Sequence, residues 1–129
     1  MSSVIVVAGP NEGDYYPLKQ TSTVVGRDAK CPIQIVDQMM SRVHLEIRYE
    51  ESDQAFYAKD LNSANGVMVN GNRLMRETKL VNGDLLELGN SKLMYFAREF
   101  PDRESAWHYY KIAGERTRGT IIQDAPKSR

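Results

Sequence analysis

Ser41, Arg42 and His44 place a hydroxyl, a guanidinium and an imidazole within four consecutive residues, with Val43 between the last two. Gly26-Arg27 lies upstream and Asn65-Gly66 downstream. Such residues suit an anion, because a hydroxyl donates one hydrogen bond and the planar guanidinium donates two in parallel to an oxyanion. They are less suited to covalent chemistry. No nucleophile with an adjacent base, no paired acids and no phosphate-cradling glycine loop stands out, so the sequence predicts binding without turnover. His44 and His108 are the only histidines and lie in different regions, so neither a metal site nor a cofactor is expected. Cys31 stands alone, which excludes an internal disulfide framework and fits a reducing compartment.

The chain of 129 residues is long enough for one hydrophobic core. Its 41% hydrophobic and 26% charged content is that of an ordinary soluble globular protein. Lys plus Arg and Asp plus Glu both number 17. That balance argues against a nucleic-acid binder working through a general basic field, while leaving room for a local basic pocket. Val4 to Ala8 is too short for a membrane span or a signal-peptide core, and no basic leader precedes it. A cytoplasmic location without membrane attachment is the expectation.

An anion site drawn from residues 26–66 needs elements that bring distant segments together. Val4 to Ala8 is a β-branched run stopped by Gly9-Pro10, and Tyr15 to Leu18 and Thr21 to Val25 read as two further strands. The second ends at Gly26-Arg27-Asp28, where the chain must bend. Ile33, Ile35 and Val36 form another apolar piece. From Arg42 the alternation is clean: Val43, Leu45, Ile47 and Tyr49 face the core, while Arg42, His44, Glu46, Arg48 and Glu50 face away. Ala55 to Leu61 alternates again, and the Asn62 to Gly66 stretch is rich in residues that tolerate left-handed backbone. Val67 to Val69, Leu74 to Leu80, Leu85 to Leu88 and Lys92 to Phe100 complete a series of strands at the spacing of about 8 to 12 residues typical of a sandwich. After Pro101, Asp102 is a suitable N-cap for a helix over Arg103 to Glu115 with Gly114 near its end, and Thr117 to Arg129 reads as a mobile tail. Trp107 and Tyr110 of so short a helix should pack on the sandwich or on a partner.

Taken in order, Gly26-Arg27, Ser41-Arg42-x-His44, Ser63-x-Asn65-Gly66, Val69-Asn70-Gly71 and Asn82-Gly83-Asp84 before Leu88-Gly89 resemble the forkhead-associated (FHA) domain. The resemblance covers roughly residues 3 to 98. It implies an all-β FHA-type sandwich of about ten or eleven short strands over residues 1–100, followed by a helix and tail over residues 101–129. It also implies a non-catalytic module that binds phosphothreonine peptides made by Ser/Thr kinases. Carried over by position, Arg27 contacts the phosphate or the backbone beside it, Ser41 gives it a hydroxyl, Arg42 adds a second cation and Asn65 holds the peptide main chain. Gly26, His44 and Gly66 support the loops. Ala64 departs from the Thr that many members carry before Asn-Gly, which implies weaker binding. Gln38, Met39 and Met40 lie where the family often reads the third residue after the phosphothreonine, and two thioethers at Met39 and Met40 would favour an apolar residue there.

Taken singly, Arg27 and Arg42 are ordinary surface charges, Ser41 is a turn cap and Asn70 serves a turn. Only jointly do these residues favour a phosphothreonine-dependent partner. The competing reading is a phospho-independent scaffold using the sandwich surface or the C-terminal helix. Thr117 and Thr120, with Arg116 and Arg118 nearby, also allow a phosphorylated tail to act as the chain's own ligand.

Overall fold

The computed structural model describes the backbone of residues 1–122 and the side chains of residues 1–113. Eleven strands form in chain order: β1 (Ser2–Ala8), β2 (Tyr15–Leu18), β3 (Ser22–Gly26), β4 (Ile33–Gln34), β5 (Leu45–Glu50), β6 (Ala55–Asp60), β7 (Met68–Val69), β8 (Asn72–Arg73), β9 (Thr78–Lys79), β10 (Leu85–Leu88) and β11 (Ser91–Phe96). They make a six-stranded sheet, ordered β2-β1-β11-β10-β7-β8, and a five-stranded sheet, ordered β4-β3-β5-β6-β9. The expected all-β sandwich is what the chain forms. Between the sheets lies a core that includes Val4, Val6, Leu86 and Leu93 from one and Val25, Leu45, Ile47 and Phe56 from the other.

β1 reads as an unbroken apolar run because both of its faces are covered. Val4 and Val6 point into the core, whereas Ile5 and Val7 join Phe96, Phe100 and Ala106 in a second cluster on the opposite face. That face is covered by α1 (Arg103–Ile122), with Phe96 and Tyr109 meeting edge to face at 5.5 Å. Trp107 and Tyr110 pack against the same cluster, so of the two expected surfaces, sandwich or partner, they use the sandwich. Asp102 caps the helix, its carboxylate accepting the Ser105 N–H at 2.8 Å. The helix does not stop at Gly114: it continues to Ile122, so Thr117 and Thr120 are helical and not part of a tail. An internal glycine costs a helix only about 1 kcal/mol relative to alanine, too little to end it. The remainder of the expected tail, residues 123–129, lies outside the described residues.

Two expectations fail locally. Leu74 to Leu80 is not one strand, because the chain crosses between sheets there: β8 pairs with β7 in the six-stranded sheet and β9 with β6 in the other. Leu74 and Leu80 are buried, while Met75 between them is 80% exposed. The alternation read through Arg42 to Glu50 also breaks at its start. β5 begins only at Leu45; Val43 is 49% exposed instead of facing the core, and His44 is fully buried instead of facing away. The imidazole tolerates burial because both of its nitrogens have partners there.

Register fixes what stands at the mouth of the five-stranded sheet. Val25 of β3 pairs with Leu45 of β5, and Leu45 pairs with Asp60 of β6. The end of β3, the start of β5 and the end of β6 are therefore level, and the loops they carry emerge side by side. This arrangement predicts opposite responses at two adjacent apolar positions. Leu45→Ala should lower the unfolding free energy by about 2–5 kcal/mol, whereas Val43→Ser should change it by less than about 0.5 kcal/mol, as read from urea melts.

Candidate functional site

Three loops meet at that mouth: residues 27–32 after β3, residues 35–44 before β5 and residues 61–67 after β6. Gly26 sets how closely the first two approach. A Cβ at Gly26 would stand 2.1 Å from the Arg42 carbonyl oxygen and 3.0 Å from the Cys31 Sγ, so no larger residue fits without moving the backbone. Through this contact the Arg27 N–H donates to the Ser41 carbonyl at 3.0 Å and the Asp28 N–H to the Arg42 carbonyl at 3.1 Å. The Cys31 thiol donates to the same Arg42 oxygen at 3.2 Å. Arg27 is exposed, but its Nε is tied to the Met40 carbonyl at 2.9 Å, which fixes the start of the guanidinium fork.

His44 joins the second loop to the third. Its Nδ1 accepts the Ser41 N–H at 3.0 Å, so its Nε2 carries the proton and donates to the Gly66 carbonyl at 2.8 Å. Two further bonds run in parallel: the Ala64 N–H donates to Ser41 Oγ at 3.0 Å, and Asn65 Nδ2 donates to the Met39 carbonyl at 2.8 Å. Within the third loop, the Gly66 N–H donates to Ser63 Oγ at 2.9 Å, and the Ser63 N–H to Asp60 Oδ1 at 2.9 Å. Gly66 has φ +79°, a conformation that favours glycine. Because Ser41 Oγ accepts from Ala64, its own O–H remains free to donate outward. Arg27 and Arg42 are exposed, and neither forms an ion pair among the described residues.

The structure thus brings Arg27, Ser41, Arg42, Ala64, Asn65 and Gly66 into adjoining loops around the buried His44. Met39 is 49% exposed beside them. Met40 is not available as a specificity contact: it is 2% exposed and packs in the core with Ile35 and Leu45. Only its carbonyl serves the site.

One contributor escaped the sequence reading. Asp37 is 1% exposed, and its carboxylate accepts the Met39 N–H at 2.9 Å, the Asn90 N–H at 2.8 Å and the Ser91 hydroxyl at 2.7 Å. It pins the base of the 35–44 loop to the β10–β11 turn, where Gly89 leaves room for it. Burial alone would raise its pKa, but the bonds from Ser91, Met39 and Asn90, helped by nearby His44, bring it below the ordinary value. An aspartate two residues before a backbone donor is a turn signal, and that much was visible in the sequence. Asn70 proves to be a turn residue, bridging Asp84 Oδ1 and the Leu85 N–H.

Fold and loops together define a β-sandwich with a polar, donor-rich site carried on loops at one end. The FHA domain family model matches residues 23–89, a span containing all three loops. Among curated proteins, the FHA domain-containing protein FhaA of Mycobacterium tuberculosis is 36% identical over 93 residues, covering 72% of this chain and 17% of FhaA. The glycogen accumulation regulator GarA of Mycolicibacterium smegmatis is 34% identical over 92 residues, covering 71% of this chain and 56% of GarA. The chain therefore spans only part of these relatives' length. A solved FHA domain, described for phosphothreonine-dependent interactions, superposes with a TM-score of 0.68 at 30% identity, covering 77% of this chain and 98% of that one. The chain belongs to the FHA domain family.

The Asp37 contacts make stability depend on pH in a stated direction. A carboxyl whose pKa is lower folded than unfolded stabilises the fold above its unfolded value, and that contribution is lost as pH falls through the folded value. Wild-type unfolding free energy should therefore drop below about pH 4, the unfolded aspartate value. Asp37→Asn should be less stable at pH 7 and lose less on acidification, as measured by denaturant titration across that range.

Proposed function

We propose that this chain is a non-catalytic module that binds phosphothreonine peptides on the three loops around His44. The observation carrying this reading is the set of outward donors: Arg27 and Arg42 without ion-pair partners among the described residues, beside the free hydroxyl of Ser41. A phosphothreonine brings about −1.5 to −2 charges and three strong acceptor oxygens at neutral pH, which matches such a set. Asn65 retains its Oδ1 for a peptide main chain after giving its amide to Met39. Recognition of this kind needs charge and donors but no base, and no nucleophile with an adjacent base stands among the loops. The partner is then a protein marked by a Ser/Thr kinase, and the module acts in the cytoplasm where such marks are made. The similarity to FhaA, to the regulator GarA and to a phosphothreonine-dependent FHA domain supports the reading.

Discrimination from the unphosphorylated peptide comes from the charged hydrogen bonds, each worth about 1.5–3 kcal/mol. Preference for threonine over serine rests on one methyl, worth about 0.8 kcal/mol. The scaffold alternative draws less support. α1 uses Trp107 and Tyr110 to pack on its own sheet, although the sandwich surface itself stays open to partners. As ligands of this site, Thr117 and Thr120 would have to leave α1 first, since an extended peptide cannot be presented from within a helix.

Titration of a phosphothreonine peptide library by fluorescence anisotropy tests the assignment. The wild type should bind phosphorylated peptides and not their bare forms, and Arg27→Ala should weaken binding about 10- to 100-fold. Absence of phospho-dependent binding by the wild type would sink the reading. Ala64→Thr restores the hydroxyl that many members of the family carry and should tighten the same complex, by about threefold or more.

A further inference from the structure

Beside the three loops, the segment that crosses between sheets forms a second concavity of about 300 Å³. One wall is Lys59, Asp60 and Asn62 at the start of the 61–67 loop; the other includes Arg73, Arg76 and Glu77. The two sites share a residue-thick boundary at Gly66. The Arg73 guanidinium lies so close over Gly66 that a Cβ there would stand 2.9 Å from one of its terminal nitrogens, while the Gly66 carbonyl on the other side takes the His44 proton.

The lining sets Lys59, Arg73 and Arg76 against Asp60 and Glu77, and of these two carboxylates Glu77 is paired with a cation outside the concavity. Glu77 is engaged by Arg48, with Arg48 Nε at 2.6 Å and its terminal nitrogen at 3.2 Å. That guanidinium, with nearby Lys59, holds the Glu77 carboxyl below its ordinary pKa. Asp60 Oδ1 accepts the Ser63 N–H. Arg73 and Arg76 are exposed, and neither guanidinium has an ion pair or a hydrogen-bond acceptor among the described residues. Two exposed arginines without such acceptors stand in one concavity beside the 61–67 loop, and their donors are available to an anion.

We infer that the Arg73 and Arg76 concavity is a second anion subsite, which takes an acidic or phosphorylated side chain flanking the phosphothreonine on the same peptide. This inference rests on the proposed phosphothreonine reading. Arg73 is the specificity-determining residue of the pair, since it stands nearest the loop that holds the peptide. Its planar fork takes a carboxylate or a phosphate in the same two-bond geometry. The subsite gives the chain a way to rank phosphothreonine peptides that the first site alone would treat alike.

The test uses the full chain and phosphothreonine peptides in which one glutamate, one phosphoserine or one lysine is moved through each position from four before to four after the phosphothreonine. Binding is read by fluorescence anisotropy at physiological salt. At one flanking position, glutamate should raise wild-type affinity by about three- to tenfold over alanine, and phosphoserine by more, because it carries the larger charge. Arg73→Ala should abolish that gain while leaving the alanine-flanked peptide within about twofold, and Arg73→Glu should make lysine the preferred residue there. If the wild type shows no acidic preference at any position while still binding phosphothreonine, the inference is wrong and the first reading stands. Arg73→Ala weakening every phosphothreonine peptide equally would also overturn it, because Arg73 would then serve the first phosphate. No phospho-dependent binding at all would remove the first reading and this one with it.

Discussion

The site depends on one imidazole. His44 sits fully buried at the entrance of β5, accepts from the Ser41 backbone and donates to the Gly66 carbonyl, so its ring is the buried link between two loops that the Ala64–Ser41 and Asn65–Met39 bonds also join. Loss of that ring would leave a buried N–H and a buried carbonyl unmatched, each at a cost of about 1–3 kcal/mol. Gly26 does the corresponding work on the other side. By letting the Arg42 carbonyl approach, it brings Arg27 against Ser41, and no residue with a Cβ could take its place. A buried ring and a missing side chain thus determine where the exposed donors stand.

That division is compatible with a chain of no net charge that displays exposed cations around one end of the sandwich. The cations at Arg27, Arg42 and Arg73 are spread along the sequence between acidic residues that are engaged elsewhere. Asp37 is turned inward onto backbone donors and the Ser91 hydroxyl, Asp60 onto the Ser63 N–H, and Glu77 onto Arg48. Each of these carboxylates helps order a segment near the loops, and Glu77 is also paired in charge with Arg48. Neutral composition is therefore compatible with a strongly uneven local field.

Much of this was legible in the sequence because turn chemistry and strand alternation are local. The strands and the Asn-Gly turns follow from period-2 patterns and turn residues, whereas the level ends of β3, β5 and β6 rest on a pairing register that the structure supplies. The Arg27, Ser41, Arg42 and Asn65 set was expected from the order and spacing that resemble the FHA domain, and the structure places these four residues on adjoining loops. What local patterns could not supply were facts about partners distant in sequence. Val43 and His44 exchange faces because a carbonyl 22 residues away claims the imidazole, and Met40 goes inward to join the core cluster between the sheets. Arg73 is set over Gly66 by the β7–β8 hairpin, in which it pairs with Met68; the Asn70-Gly71 turn was readable in the sequence, but not the short strand that follows it. Gly114 misled in the opposite sense, since its cost to a helix is real but smaller than a chain stop requires.

The network also determines when the ordering cost of the site is met. Ser41, Ala64, Asn65 and Gly66 are bonded to one another or to Met39 and His44, so the chain's own groups hold these loops in order. Preorganisation of this kind raises affinity for every peptide that fits, phosphorylated or not, and so does not by itself create selectivity. The groups left outside the network are the Ser41 proton, the terminal nitrogens of Arg27 and the guanidinium of Arg42, and the proposed selectivity for phosphate rests on these. The helix stands apart from this, because α1 covers the outer face of the six-stranded sheet while the strand ends at the mouth belong to the five-stranded one. Any influence of α1 on the loops must therefore pass through the core that Val4, Val6 and Leu93 share with Val25 and Leu45, where close packing allows little movement.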